Sequence, residues 1–192
     1  MRRITLASAV AASLLLVIVL TACAPDAAAP TAAASTPAAA WSSTPTPMTT
    51  AEALVKLPTD CRAIVSADVL SQLQDEPLND EAFAPTGVQP DGSLICVWGS
   101  PSADTTNLTT TISYRDRGPA LDELNAFRAE GATCYTPDGG TRCERTWKNK
   151  DYPVTDGRTM FWRDGVLVDT RYSNLAPDGY TSSVVANIFR GR

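Results

Sequence analysis

Histidine is absent from all 192 residues, and lysine occurs only at positions 56, 148 and 150. Without histidine there is no Ser-His-Asp or Cys-His catalysis, and most zinc and iron sites lose their usual ligand. No Cys-x-x-Cys pair is present, so neither redox-motif chemistry nor paired zinc ligation is expected, and no metal ligand set is expected anywhere in the chain. Basic residues number 16 against 21 acidic ones, a formal charge of −5. A chain with that balance lacks the clustered cations that displace counterions from phosphates, so no nucleic acid partner is expected. A Gly-rich phosphate cradle is also missing: Asp138-Gly139-Gly140 reads as a turn between strands, not as a strand-to-helix loop. No cofactor is therefore expected.

Long apolar runs are scarce too. Only Ile4 to Leu20 qualifies, about 17 residues where a membrane-spanning helix wants about 20. It follows Met1-Arg2-Arg3, a short positive segment, and so has the layout of an export signal over residues 1–22. Leu20-Thr21-Ala22-Cys23 ends it and resembles the bacterial lipobox. That resemblance implies a diacylglycerol thioether on Cys23 and cleavage before it. Two acyl chains hold a protein to a bilayer where one binds reversibly. The expected partner at this end is the membrane, through the lipid anchor on Cys23, with the rest of the chain on the extracytoplasmic face.

Residues 24–50 are almost wholly Ala, Pro, Thr and Ser; the exceptions are Asp26, Trp41 and Met48. Such a composition cannot bury enough apolar surface to offset its ordering entropy. With the lipidated Cys23, residues 23–50 read as a spacer that reaches between about 30 Å as a coil and about 80 Å when extended. Residues 51–192 then read as one extracellular domain, long enough for one core.

That domain reads as α+β. Ser66 is placed to cap a helix from Ala67 to Gln74. A long loop runs from Asp75 to Gly92. Leu94 to Trp98 reads as a buried strand, and Asn107 to Arg115 alternates like a half-buried one. Gly118-Pro119 opens a helix carrying Leu121, Leu124 and Phe127, which Gly131 stops. Asp138-Gly139 and Asp164-Gly165 each signal a tight hairpin. A last helix runs from about Tyr180 to Arg190. The expected architecture is an antiparallel sheet with helices packed on one face and two disulfides.

Setting Cys23 aside leaves Cys61, Cys96, Cys134 and Cys143, an even number in an exported domain. Three pairings are open. A turn centred on Asp138-Gly139 places Cys134 opposite Cys143 at a non-hydrogen-bonded position, with a Cα separation of about 4.5 Å. Cys61–Cys96 is the remaining pair. Chain entropy gives about 3 kcal/mol for the short loop and about 4 for the long one. Trp98 shares a strand face with Cys96 and is expected to pack on that disulfide.

Two exposed features bear on function. Trp147 beside Lys148 and Trp162 beside Arg163 are candidate ligand-binding residues lining a cleft for a sugar or lipid; core packing is the competing reading for both. Asp164 with Asp169, and Asp151 with Asp156, are acid–base pairs only on the weaker reading, since turn formation and solvation explain them. No catalytic residue is assigned.

Leu57-Pro58-Thr59-Asp60-Cys61-Arg62-Ala63-Ile64-Val65-Ser66-Ala67-Asp68-Val69, the Cys96-Val97-Trp98 strand, the Phe161-Trp162-Arg163-Asp164-Gly165 hairpin and the terminal helix together resemble a family of actinobacterial lipoproteins of unknown function. Such domains are similar in layout to the extracellular sensor domains of receptor kinases. The likeness departs at the Asp75 to Gly92 loop and at the Cys134/Cys143 pair. The leading expectation is a non-catalytic binding or sensor-accessory module of the cell envelope, with a small molecule, a wall fragment or an envelope protein as partner. The other readings are a carboxylate hydrolase acting on envelope polymers and a scaffold subunit of a membrane complex.

Overall fold

The computed structural model describes residues 55–192; Cys23 and the spacer lie outside them. Seven strands form one antiparallel sheet in the order β1-β2-β3-β7-β6-β5-β4. They are β1 Gly87–Val88, β2 Leu94–Gly99, β3 Asn107–Tyr114, β4 Thr133–Tyr135, β5 Thr141–Lys148, β6 Thr155–Arg163 and β7 Val166–Ser173. Three helices accompany them: α1 Ala67–Gln72, α2 Arg117–Ala129 and α3 Tyr180–Ile188. The domain is thus α+β with an antiparallel sheet, as its sequence leads one to expect. Both edge strands are short, which limits the unpaired backbone offered to other chains.

Local chemistry sets most element ends. The Ser66 hydroxyl accepts from the Val69 amide and starts α1. Gly131, at φ +102°, stops α2. Asp138 and Gly139, like Asp164 and Gly165, all have positive φ, which a two-residue turn between twisted strands needs. The registers follow: Tyr135 faces Arg142, and Arg163 faces Val166. The long loop before β2 is less plain than expected. It contains a 3-10 turn at Glu81–Phe83 and the two-residue β1, and Asn79 pairs with the outer edge of β2 through Val97.

Both disulfides form in the expected pairing. Cys134 sits opposite Cys143 in the β4–β5 ladder with a Cα separation of 4.1 Å, and Cys61 joins Cys96.

The layering differs from the expected single helical face. Side chains alternate across a strand, so β6 sends Phe161 one way and Met160 the other. Phe161 belongs to a large cluster with Val69 and Leu73 of the α1 segment, Val184 and Val185 of α3, and Cys61, Cys96 and Trp98. Met160 belongs to a second cluster with Leu124 and Phe127 of α2, Cys143 and Leu167. Helices α1 and α3 therefore cover one face, and α2 covers part of the other. The cause is in β6 and β7, whose Met160-Phe161 and Val166-Leu167-Val168 are buried on both faces. A sheet centre buried on both sides needs an element above and below it.

Candidate functional site

On the α2 face, strands β5, β6 and β7 form rows of directly opposed residues. Thr141, Trp162 and Leu167 make the row next to the Asp164-Gly165 turn; Cys143, Met160 and Asp169 make the next. Helix α2 covers these two rows. Beyond its last turn the third row is Arg145, Arg158 and Arg171, and the fourth is Trp147, Asp156 and Ser173. These last rows floor an open cleft of about 600 Å³, with Phe127 and Glu130 at the helix end and Asp104 and Asn107 on the loop side.

Each side chain in the arginine row is held differently. Arg158 makes two bonds to Asp169, both 2.8 Å, and its guanidinium lies 5.0 Å from the centre of the Phe127 ring. It thereby closes the end of the apolar cluster. The bond to Asp169 holds the Arg158 pKa above its ordinary value, so it stays cationic throughout. Arg171 reaches the same Asp169 only at 3.6 Å and is mostly exposed. Arg145 lies 5.6 Å from the Trp147 ring centre and against Gly131, where a Cβ would lie 3.9 Å from its Nε. Among the described residues no carboxylate is ion-paired with Arg145. In the fourth row Asp156 Oδ2 accepts from Asn149 at 2.8 Å, while Oδ1 has no partner.

The two candidate tryptophans part company here. Trp147 is 38% exposed and lines the cleft. Trp162 does not: its ring packs against the α2 cluster, and its Nε1–H donates to the Arg115 carbonyl at 2.8 Å. Their rows lie six residues apart along the strands, about 20 Å at about 3.3 Å per residue. The structure therefore does not bring them together, and Trp162 is a packing residue that ties the β3–α2 connection to the sheet. Its companion Arg163 is likewise occupied, donating to the Asp138 carbonyl beside the Phe189 ring.

The carboxylates Asp164 and Asp169 separate in the same way. Asp164 is a turn residue paired with Arg163, and Asp169 is held by Arg158 about 15 Å away along β7. That is too far for one acid–base pair. Asp151 lies in the β5–β6 loop, exposed beside Lys150.

A second cleft, of about 540 Å³, opens on the α3 face between the sheet and the start of that helix. Glu144, Thr146, Thr159, Thr170, Tyr172 and Ser182 are among its lining residues. Arg142 pairs there with Glu144 at 2.9 Å, and the Tyr135 hydroxyl donates to Glu144 at 3.1 Å. Beneath it, buried Thr110 contacts Thr170 Oγ1 at 3.0 Å and donates to the Tyr180 hydroxyl at 2.9 Å. Each cleft keeps one buried polar atom without a partner, Arg142 Nε here and Asp156 Oδ1 beside Trp147.

No protein-family model matches the chain, and no curated protein matches it. Among solved structures, the chain is similar to the solution structure of cyanobacterial PsbP (CyanoP) from Synechocystis sp. PCC 6803. The identity is 16% over 58% of this chain and 76% of that one, with a TM-score of 0.34. A likeness at that score assigns neither fold nor activity.

Proposed function

We propose that the chain is a lipid-anchored binding module of the cell envelope, tethered through Cys23, whose ligand sits in the cleft beyond the end of α2. The observation that carries this reading is Trp147: a large exposed ring in a concave site among Arg145, Arg171, Asn149 and Asp156. Few polar groups converging around an aromatic surface are how small-ligand sites fix orientation. The paired cysteines in an exported layout, and the Cys96-Val97-Trp98 strand, favour placing it with the lipoproteins it resembles.

The experiment has two arms. Soluble wall fragments are incubated with the lipoprotein in detergent and retained species are identified by native mass spectrometry. Trp147→Ala should lose what the unaltered protein retains, and Trp162→Ala should retain it if still folded. Equal retention by Trp147→Ala would remove the cleft from consideration. Separately, Cys23→Ser should leave the membrane fraction or stall in processing; unchanged fractionation would remove the anchor.

A further inference from the structure

The three arginines of the third row are unusual for a sheet. Like charges directly opposite one another on neighbouring strands destabilise the pairing, yet Arg145, Arg158 and Arg171 stand opposite in succession. Asp169 neutralises one of the three charges. Two guanidinium groups, on Arg145 and Arg171, remain on either side of the Arg158–Asp169 pair, about 10 Å apart at the Cα atoms of strands spaced by about 4.8 Å. Arginine presents a planar fork that matches a carboxylate.

The rest of the cleft narrows the ligand. Asp104, Glu130 and Asp156 line it as well. These carboxylates would repel a polyanion, while the two guanidinium groups left over by the Arg158–Asp169 pair attract a single carboxylate placed between them. A ligand with one negative charge and many neutral polar groups suits both. Beside Trp147, the partly buried Asp156 carboxylate has an Oδ1 without a donor, an unmet group that destabilises the empty site. A hydroxyl group supplies such a donor. An indole face takes the C–H face of a pyranose ring while its surroundings stay wet.

Resting on the reading of this cleft as the ligand site, we propose that it recognises an acidic sugar. The sugar ring lies against Trp147, a hydroxyl faces Asp156, and the carboxylate is held by Arg145 and Arg171.

Two probes isolate the charge. N-acetylmuramic acid and N-acetylglucosamine share a ring and an acetamido group and differ by a lactyl ether that carries a carboxylate. Each is titrated into the full lipoprotein in detergent micelles, following the Trp147 indole and arginine Nε–H resonances. The acid should bind about tenfold or more tightly than the neutral sugar, as charge-assisted bonds imply. Raising salt should shrink the preference. The double variant Arg145→Gln/Arg171→Gln should lose the preference while keeping the weak neutral-sugar response at Trp147. Arg145→Lys, which keeps the charge but not the fork, should fall between. Equal affinity for both sugars at Trp147 would overturn the acidic-sugar proposal and leave the cleft as a binding site. A preference that survives in the double variant would overturn the arginine assignment. Absence of any response to either sugar would overturn the proposal too, whereas retention of wall fragments through Trp147 would still support the broader reading.

Discussion

The two faces of the sheet are built from the same strands and carry opposite consequences. Under α1 and α3, Leu94, Cys96, Trp98, Leu108, Ile112, Phe161, Val166 and Val168 form a nearly unbroken apolar layer. On the α2 face the apolar layer spans two rows and stops where the helix stops; arginine and tryptophan follow. Coverage makes the difference. Helix α2 has 13 residues and ends at Ala129, so β5 to β7 extend past it. One face holds the domain together, and the uncovered half of the other is where a ligand can reach ordered side chains.

That division is broken most severely at Trp98. The ring is fully buried beside the Cys61–Cys96 disulfide. Trp98→Ala should cost about 3–5 kcal/mol through lost burial and a residual cavity, read as a lower urea midpoint at unchanged slope. The disulfides come next and sharpen the contrast. Replacing Cys61 and Cys96 together by alanine should cost about 4 kcal/mol, and Cys134 with Cys143 about 3, because the shorter loop constrains the unfolded chain less. Denaturation of the two double variants checks the order. A larger loss from the Cys134/Cys143 pair would mean that the hairpin carries more of the fold than its satellite cluster suggests.

How much of this was legible in the sequence depends on where each register is encoded. The Asp138-Gly139 turn places Cys134 on Cys143, and the Asp164-Gly165 turn places Arg158 on Arg171; both can be counted from the turn. The Arg158–Arg171 pair is therefore readable from the turn. Arg145 was not readable: its place opposite Arg158 depends on the β5–β6 connection through residues 149–154, which no two-residue turn signal governs. The β3–β7 pairing at the sheet centre was also beyond reach, since α2 and three strands intervene. Non-local pairing is decided by the whole core, and a local pattern does not contain it. The same limit explains Trp162, whose burial under α2 depends on which face that helix takes.

A smaller effect separates the faces by pH. On the α3 side Tyr180 is buried, which pushes its phenol up to about 12, against the pull of the Thr110 hydroxyl bond. The folded pKa lies above the unfolded value near 10. The folded state thus binds the proton more tightly, and the stabilisation is whole below pH 10 and is lost as pH rises through 10 to 12. The loss should be about 2–3 kcal/mol across that window. Tyr180→Phe should flatten that part of the stability profile, even if its stability at neutral pH is lower. An identical alkaline slope in the variant would assign the loss to other groups.

The smallest expected change in stability is at the exposed tryptophan, Trp147. Trp147 is the counterpart of Trp98: the same residue type, on the opposite face, at the uncovered end. Its neighbours are the Arg145 guanidinium and the open cleft, and no closed apolar cluster surrounds it. Truncation leaves no sealed cavity, because solvent already reaches the ring. Trp147→Ala should therefore cost about 1 kcal/mol or less, several-fold less than Trp98→Ala, in the same urea titration. If Trp147→Ala instead destabilised the domain as much as Trp98→Ala, the ring would be structural, and both the cleft assignment and the acidic-sugar proposal would lose their central residue.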